Sequence, residues 1–330
     1  MRFRPLFLAL TSLFFVHSAQ AQCVGENLIA KLDPTTRDAI YAAAHAAPFA
    51  TGNLWRATKG DQTIYLAGTY HLDDPRHDAL MTTLTPLLTQ SKTLMVEAGP
   101  KEEAALQQML TTNPTAMMDM AGSGLSQTLP KEEWEALTAA LLQRGVPSSI
   151  AEKLRPWFVS MMLSIPPCAL QLAAQGGGLD KRLITVAETA GIPVEALEPF
   201  DTALGLFDNL TADEQALMIR QALQVEPQSE DFLTTTADAY FDGEGRVIWE
   251  FSRHMALSLP GATATQTDAD FAKAEKSLMN DRNRAWLPLI TGAAAKGTVF
   301  VAFGSLHLSG DEGVLTLLQN AGYTLEPLPH

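Results

Sequence analysis

Residues 54–75 read LWRATKGDQTIYLAGTYHLDDP, and their pattern decides the class of fold. Leu54-Trp55-Arg56-Ala57-Thr58 and Thr63-Ile64-Tyr65-Leu66-Ala67 flank Lys59-Gly60-Asp61, which predicts a hairpin. The second strand runs directly into Gly68-Thr69-Tyr70-His71. Pro75 suits the first turn of a helix, and Leu80, Leu84, Leu87 and Leu88 fall on one face at helical spacing. Thr93-Leu94-Met95-Val96 is then a further strand, ending at Glu97-Ala98-Gly99-Pro100. Strand, helix, strand is the standard way to lay two strands parallel.

Two later stretches repeat that plan. Thr298 to Phe303 is a largely apolar strand followed by Gly304-Ser305-Leu306-His307, a helix over Val314 to Asn320, Gly322 as its stop and a strand over Tyr323 to Leu328. In the middle, Leu179 to Ala190 predicts a helix, Gly191 its terminator, and Ile192 to Leu197 a strand ending at Glu198. Between these units lie two helical blocks, 101–174 and 211–258, the second opened by a Thr211/Glu214 capping box. A last helix is expected over Asp268 to Thr291. The expected architecture is α/β, a mostly parallel central sheet flanked by helices, with a helical cap or insertion.

The first residues, MRFRPLFLALTSLFFVHSAQAQC, carry Arg2 and Arg4, an apolar run and Ala19-Gln20-Ala21, the pattern of a secretory signal peptide over 1–21. That leaves 22–330 as an exported, periplasmic or secreted α/β domain with no stable membrane insertion. Hydrophobic residues make up 46% and charged residues 18%, an ordinary globular composition. A formal charge of −14 repels phosphate backbones, so nucleic acid is not an expected partner. In an oxidising compartment the 2 cysteines, Cys23 and Cys168, can form one bridge.

Ligands of open parallel sheets bind beyond the carboxyl ends of the strands. His71 and His307 each close a Gly-x-x-His motif at such an end, where glycine permits a sharp turn, and Glu97 and Glu198 end strands as well. Two neutral imidazoles with one or two carboxylates suit a divalent cation, Mn2+, Co2+, Zn2+ or Fe2+, which lowers the pKa of water and polarises a carbonyl. Arg282 could hold an anionic substrate group or a carboxylate ligand, or form a salt bridge on its helix face. A single histidine after a strand is more often structural, and His77 is a reserve candidate. Gly176-Gly177-Gly178-Leu179-Asp180 lacks the frame of a phosphate loop and is expected to be a turn with Asp180 at the helix start. There is no Gly-x-Ser-x-Gly elbow and no His-Glu-x-x-His helix, which argues against serine hydrolases and zincin proteases.

The ordered set LWRATKGDQTIYLAGTYHLDDP, LMVEAGP, GLDKRLITVAETAGIPVEALEP, NDRNRAWLPLI and VFVAFGSLHLSGDEGVLTLLQNAGYTLEPL resembles the TraB/GumN family, related to the TIKI metalloproteases. Its fold relatives include erythromycin esterases and a haem-binding lipoprotein. The resemblance implies a divalent-metal site formed by His71, Glu97 and His307, with Glu198 and Arg282 in support. The expected function is a metal-dependent hydrolase of peptide or amide bonds in which activated water is the nucleophile, acting on a peptide or small-molecule substrate. Two alternatives stay open: a protein that captures haem or a short peptide without turnover, and a partner-docking protein whose histidines are structural.

Overall fold

The computed structural model describes residues 23–120, 122, 124–170, 177–205 and 210–329. The expected signal peptide, 1–21, lies outside the described residues. No helix among the described residues is long and apolar enough to cross a membrane.

Six strands form one mixed sheet: β1 (Leu54–Lys59), β2 (Gln62–Thr69), β3 (Thr93–Val96), β4 (Val194–Ala196), β5 (Val299–Gly304) and β6 (Thr324–Pro327), in the order β4-β3-β5-β2-β1-β6. The predicted hairpin is present, Lys59 pairing with Gln62 and Leu54 with Ala67. β2, β5, β3 and β4 run parallel to one another, and β1 pairs antiparallel with β2 and β6. The strand-helix-strand unit does make β2 and β3 parallel, yet they are not adjacent, because the late strand β5 inserts between them. That gives the sheet a centre buried on both faces, and β5 is accordingly apolar throughout, Val299-Phe300-Val301-Ala302-Phe303.

Strand alternation sorts these side chains into two layers. Ile64, Leu66, Val299, Val301 and Phe303 pack with Trp286, Ile290, Leu315 and Leu318 of the helices Asp281–Ala294 and Val314–Asn320. Tyr65, Ala67, Phe300 and Ala302 pack on the other face with Leu84, Leu88, Leu183 and Ile184 of the helices His77–Thr89 and Leu179–Thr189. A separate core joins Leu137, Leu141, Val159 and Leu163 to Ile219 on the helix Ala212–Val225. The capping box at its start is formed, with the Thr211 side chain accepting from Glu214 N–H.

Several expected boundaries move. The strand expected over Ile192 to Leu197 is confined to β4, and Tyr323 and Leu328 fall outside β6. The helix expected over Asp268 to Thr291 extends from Ala264 to Ala294 and is interrupted by a turn of π-helix at Lys276–Asn280. Cys23 and Cys168 are bridged across a sequence separation of 145.

Candidate functional site

Parallel pairing brings the carboxyl ends of four strands to one edge of the sheet. Thr69 at the end of β2 is level with Gly304 at the end of β5, and Val96 of β3 with Ala302. His71, Glu97, Glu198 and His307 follow these strands by one to three residues, so the topology gathers them. Arg282 reaches the same edge from the helix Asp281–Ala294.

Each imidazole is oriented by an acceptor at Nδ1. His71 Nδ1 lies 2.8 Å from Asp180 Oδ2, and the other oxygen of that carboxylate accepts from Thr69 Oγ1 at 2.6 Å. His307 Nδ1 lies 2.6 Å from Asn283 Oδ1. The amide orientation follows from its neighbours: Asn283 Nδ2 donates to the Glu312 carbonyl at 2.9 Å, which turns Oδ1 toward the ring. Arg282 Nη1 stands 3.2 Å from His307 Nε2, and a guanidinium can only donate. His307 therefore carries its proton on Nδ1 and presents a lone pair at Nε2.

Glu97 stands beside His307 and, with His71, over Gly304. Its Oε1 accepts from Gly304 N–H at 2.6 Å and is 3.9 Å from His307 Nε2, while Oε2 accepts from Arg282 at 2.6 Å. Arg282 also makes a two-point pair with Glu198, at 2.7 and 2.8 Å, and donates to the Leu278 carbonyl at 3.0 Å. With the His307 contact, all five guanidinium N–H donors are engaged within the protein. Arg282 is thus ion-paired with two carboxylates from other elements, contacts that fit both the carboxylate-holding and the salt-bridge readings. Glu198 takes a further bond from Trp286 Nε1 at 3.2 Å, and the Trp286 ring lies 4.5 Å from that of His307.

These surroundings set opposite protonation tendencies. Burial pushes His307 down to about 4, against the pull of Glu97 and with the help of Arg282 and His71. Burial also opposes charge on His71, but Asp180 and then Glu97 outweigh it and raise the ring to about 9. The His71 side chain is nonetheless 63% exposed, because it lies at the floor of an open cleft where protein surrounds it and water still reaches it. Glu97 is lowered despite burial by His307, His71 and Arg282.

Glycine matters here for close approach and not for the sharp turn expected of it. Neither Gly68 nor Gly304 is among the glycines with positive φ. A Cβ on Gly304 would sit 3.3 Å from His71 Nε2 and 3.4 Å from Glu97 Oε1, and one on Gly178 would meet the His71 carbonyl at 2.2 Å. Gly178 opens the helix Leu179–Thr189, whose Leu179 N–H donates to the Tyr70 carbonyl, so the Gly-Gly-Leu-Asp turn places Asp180 under His71.

The donor set would fit a divalent cation once Arg282 Nη1 left His307 Nε2 and His71 gave up its proton: two Nε2 atoms whose Nδ1 atoms are held by Asp180 and Asn283, beside a carboxylate oxygen. Two ligand atoms each about 2.1 Å from one ion are at most about 4.2 Å apart, so the 3.9 Å between His307 and Glu97 is within reach of a shared ion. Among the described residues no ready-made cluster of three or more metal-binding side chains is present, so a cation would draw the three groups inward. His77 lies away from this edge, fully buried against Tyr70, Tyr240 and Phe241.

Asp180 and Asn283 are the supporting groups that sequence reasoning did not single out for the site. Both stand inside stretches already noted, GLDKRL and NDRNRAW, with nothing local to say which ring each would reach. A comparison with curated proteins finds no match. A comparison with known protein families matches residues 53–327, the span holding every residue of the edge just described, and on that match the chain belongs to the TraB/PrgY/gumN family.

Proposed function

We propose that the chain is an exported, divalent-metal-dependent hydrolase of peptide or amide bonds, with His71, Glu97 and His307 as the metal ligands. The observation that carries this reading is the matched hold on the two rings, Nδ1 bound to Asp180 or Asn283, with His307 Nε2 3.9 Å from Glu97 and with His71 Nε2 and Glu97 Oε1 both beside Gly304. A bound cation would supply Lewis acidity and a water of lowered pKa at a carbonyl substrate. Asp180 and Asn283 fix the rings; Arg282 and Glu198 are positioning residues, the guanidinium offsetting the charge of Glu97 and Glu198 restraining the guanidinium. The Cys23–Cys168 bridge supports export, since such bridges persist in oxidising compartments.

The test is metal stoichiometry and peptide hydrolysis measured on one preparation. Chelation should abolish turnover and Mn2+, Co2+ or Zn2+ should restore it, while His307→Ala should remain inactive. Asp180→Asn, which keeps the shape but weakens the acceptor, should lower metal affinity by about 10- to 100-fold. Full turnover by thoroughly chelated protein would refute the proposal. Retention of haem or peptide without cleavage under any metal would return the site to a binding role.

A further inference from the structure

The floor made by His71, Glu97, Arg282 and His307 opens into a cleft of about 390 Å³, at the lower end of the range for small-ligand sites. Apart from the floor, Gly304 and the hydroxyl residues Thr69, Tyr70, Thr236 and Ser305, the lining is apolar, through Leu72, Ile248, Trp249, Leu278, Met279 and Leu306. Among the described residues every charged group lining the cleft belongs to the floor, and Arg282 there has no donor to spare. A charged group entering the upper cleft would lose water and find no counter-charge, which is costly.

Two features make this wall a built surface. The Trp249 ring is backed edge-on by Phe271 at 5.1 Å, with the Arg246 guanidinium 5.8 Å from its centroid, and Arg246 is itself tied to Glu275 at 2.6 Å. Leu278 stands on the π-turn Lys276–Asn280 and is 38% exposed, a large apolar side chain left open at the cleft. The same turn supplies the Leu278 carbonyl that holds Arg282, so wall and floor are fixed in register with each other. Such departures from α-helix recur at functional sites.

We propose that Trp249 and Leu278 form a recognition subsite for one aromatic or branched aliphatic side chain of the substrate, next to the group presented to the floor. The hydrolase reading is needed only to say which bond that group contains. The subsite itself rests on the lining. The small volume fits a single side chain with its adjoining backbone, and the uncharged wall selects against acidic and basic ones.

The experiment uses the full chain and four blocked peptides, acetyl-Ala-X-Ala-amide with X as Phe, Leu, Asp or Lys. Binding is followed by calorimetry in chelating buffer and cleavage by chromatography with Mn2+ present. The Phe and Leu peptides should bind at least about tenfold more tightly than the Asp and Lys peptides, the effect of burying one apolar side chain. Leu278→Asp, a change at an already open position, should bring that ratio close to unity, and Trp249→Ala should weaken the Phe peptide most, with melting curves confirming that both variants fold. Selective binding without cleavage would leave the subsite standing and remove the hydrolase reading. Cleavage indifferent to X would do the reverse. Equal binding of all four peptides, binding of none, or a preference untouched by Leu278→Asp would overturn the subsite.

Discussion

His77 is fully buried among aromatic rings, and among the described residues neither of its ring nitrogens has a hydrogen-bond partner. Burial, then Arg182, lower its pKa against the weaker pull of Asp74, Asp73 and Asp180. The unfolded chain therefore takes up a proton at a higher pH than the folded one, near 6.5, so stability rises with pH where the two states differ. This contribution is complete above about 6.5 and is lost as pH falls toward the lowered folded value. His307, pushed to about 4, acts in the same direction. His71, raised to about 9, acts in the opposite one: its contribution is complete below about 6.5 and is lost as pH rises through about 9. Replacing His77 by Phe isolates one of the three. Urea unfolding of His77→Phe between pH 4 and 7 should show a shallower loss of stability on acidification, by up to about 1.4 kcal/mol per pH unit for the missing proton. Parallel profiles for the two proteins would mean that His77 is not held neutral.

At the scale of elements, the two Gly-x-x-His motifs look equivalent in sequence and are not equivalent in the sheet. Gly68 lies within β2, opposite Phe303, and Gly304 is the last residue of β5, opposite Thr69. A Cβ on Gly68 would meet Leu308 Cδ1 at 2.7 Å and the Ser305 Cα at 2.9 Å, so part of the obstruction is backbone. At Gly304 the nearest atoms are the ends of two side chains, His71 and Glu97, at 3.3 and 3.4 Å. Gly68→Ala should therefore cost about 1–3 kcal/mol of stability by overpacking. Gly304→Ala should stay within about 0.5 kcal/mol of the parent while weakening metal binding. Urea midpoints and Mn2+ titrations of both variants check this, and a Gly304→Ala protein less stable than Gly68→Ala would contradict it. The same contrast shows what was legible. Period-two and helical patterns revealed nearly every element of the sheet and its covering helices, because each is a local property. The insertion of β5 between β2 and β3 is a choice among strand neighbours made by the whole core, and no local pattern encodes it. Asp180 and Asn283 stayed hidden for the same reason, since each meets its histidine only after helices from opposite faces of the sheet reach one edge.

At the scale of the molecule, the N-terminal segment is anchored twice. Val24 N–H donates to Glu230 at 3.4 Å, Glu26 N–H to Asp231 at 2.7 Å and Leu28 N–H to Thr235 at 2.8 Å, laying the segment along the helix Ser229–Phe241. Gly25 is pressed against the Glu230 carbonyl, which a Cβ would meet at 2.2 Å. The bridge to Cys168 then joins this segment to the turn after the helix Pro156–Ser164. An expected oxidising compartment and an even cysteine count permitted that bridge without deciding it, and its partner elements were not deducible. Because hydrogen bonds already hold the segment in place, the bridge acts chiefly on the unfolded chain by closing a loop with a sequence separation of 145. Replacing both cysteines, Cys23→Ser with Cys168→Ser, should lower unfolding free energy by about 2–5 kcal/mol while leaving the far-ultraviolet dichroism of the folded protein unchanged. The parent under reducing conditions should unfold at the same urea concentration as the double variant. A double variant with an unshifted midpoint would show that the unfolded chain is not constrained by the bridge, and a changed dichroism spectrum would show that the bridge holds the N-terminal segment where its hydrogen bonds alone do not.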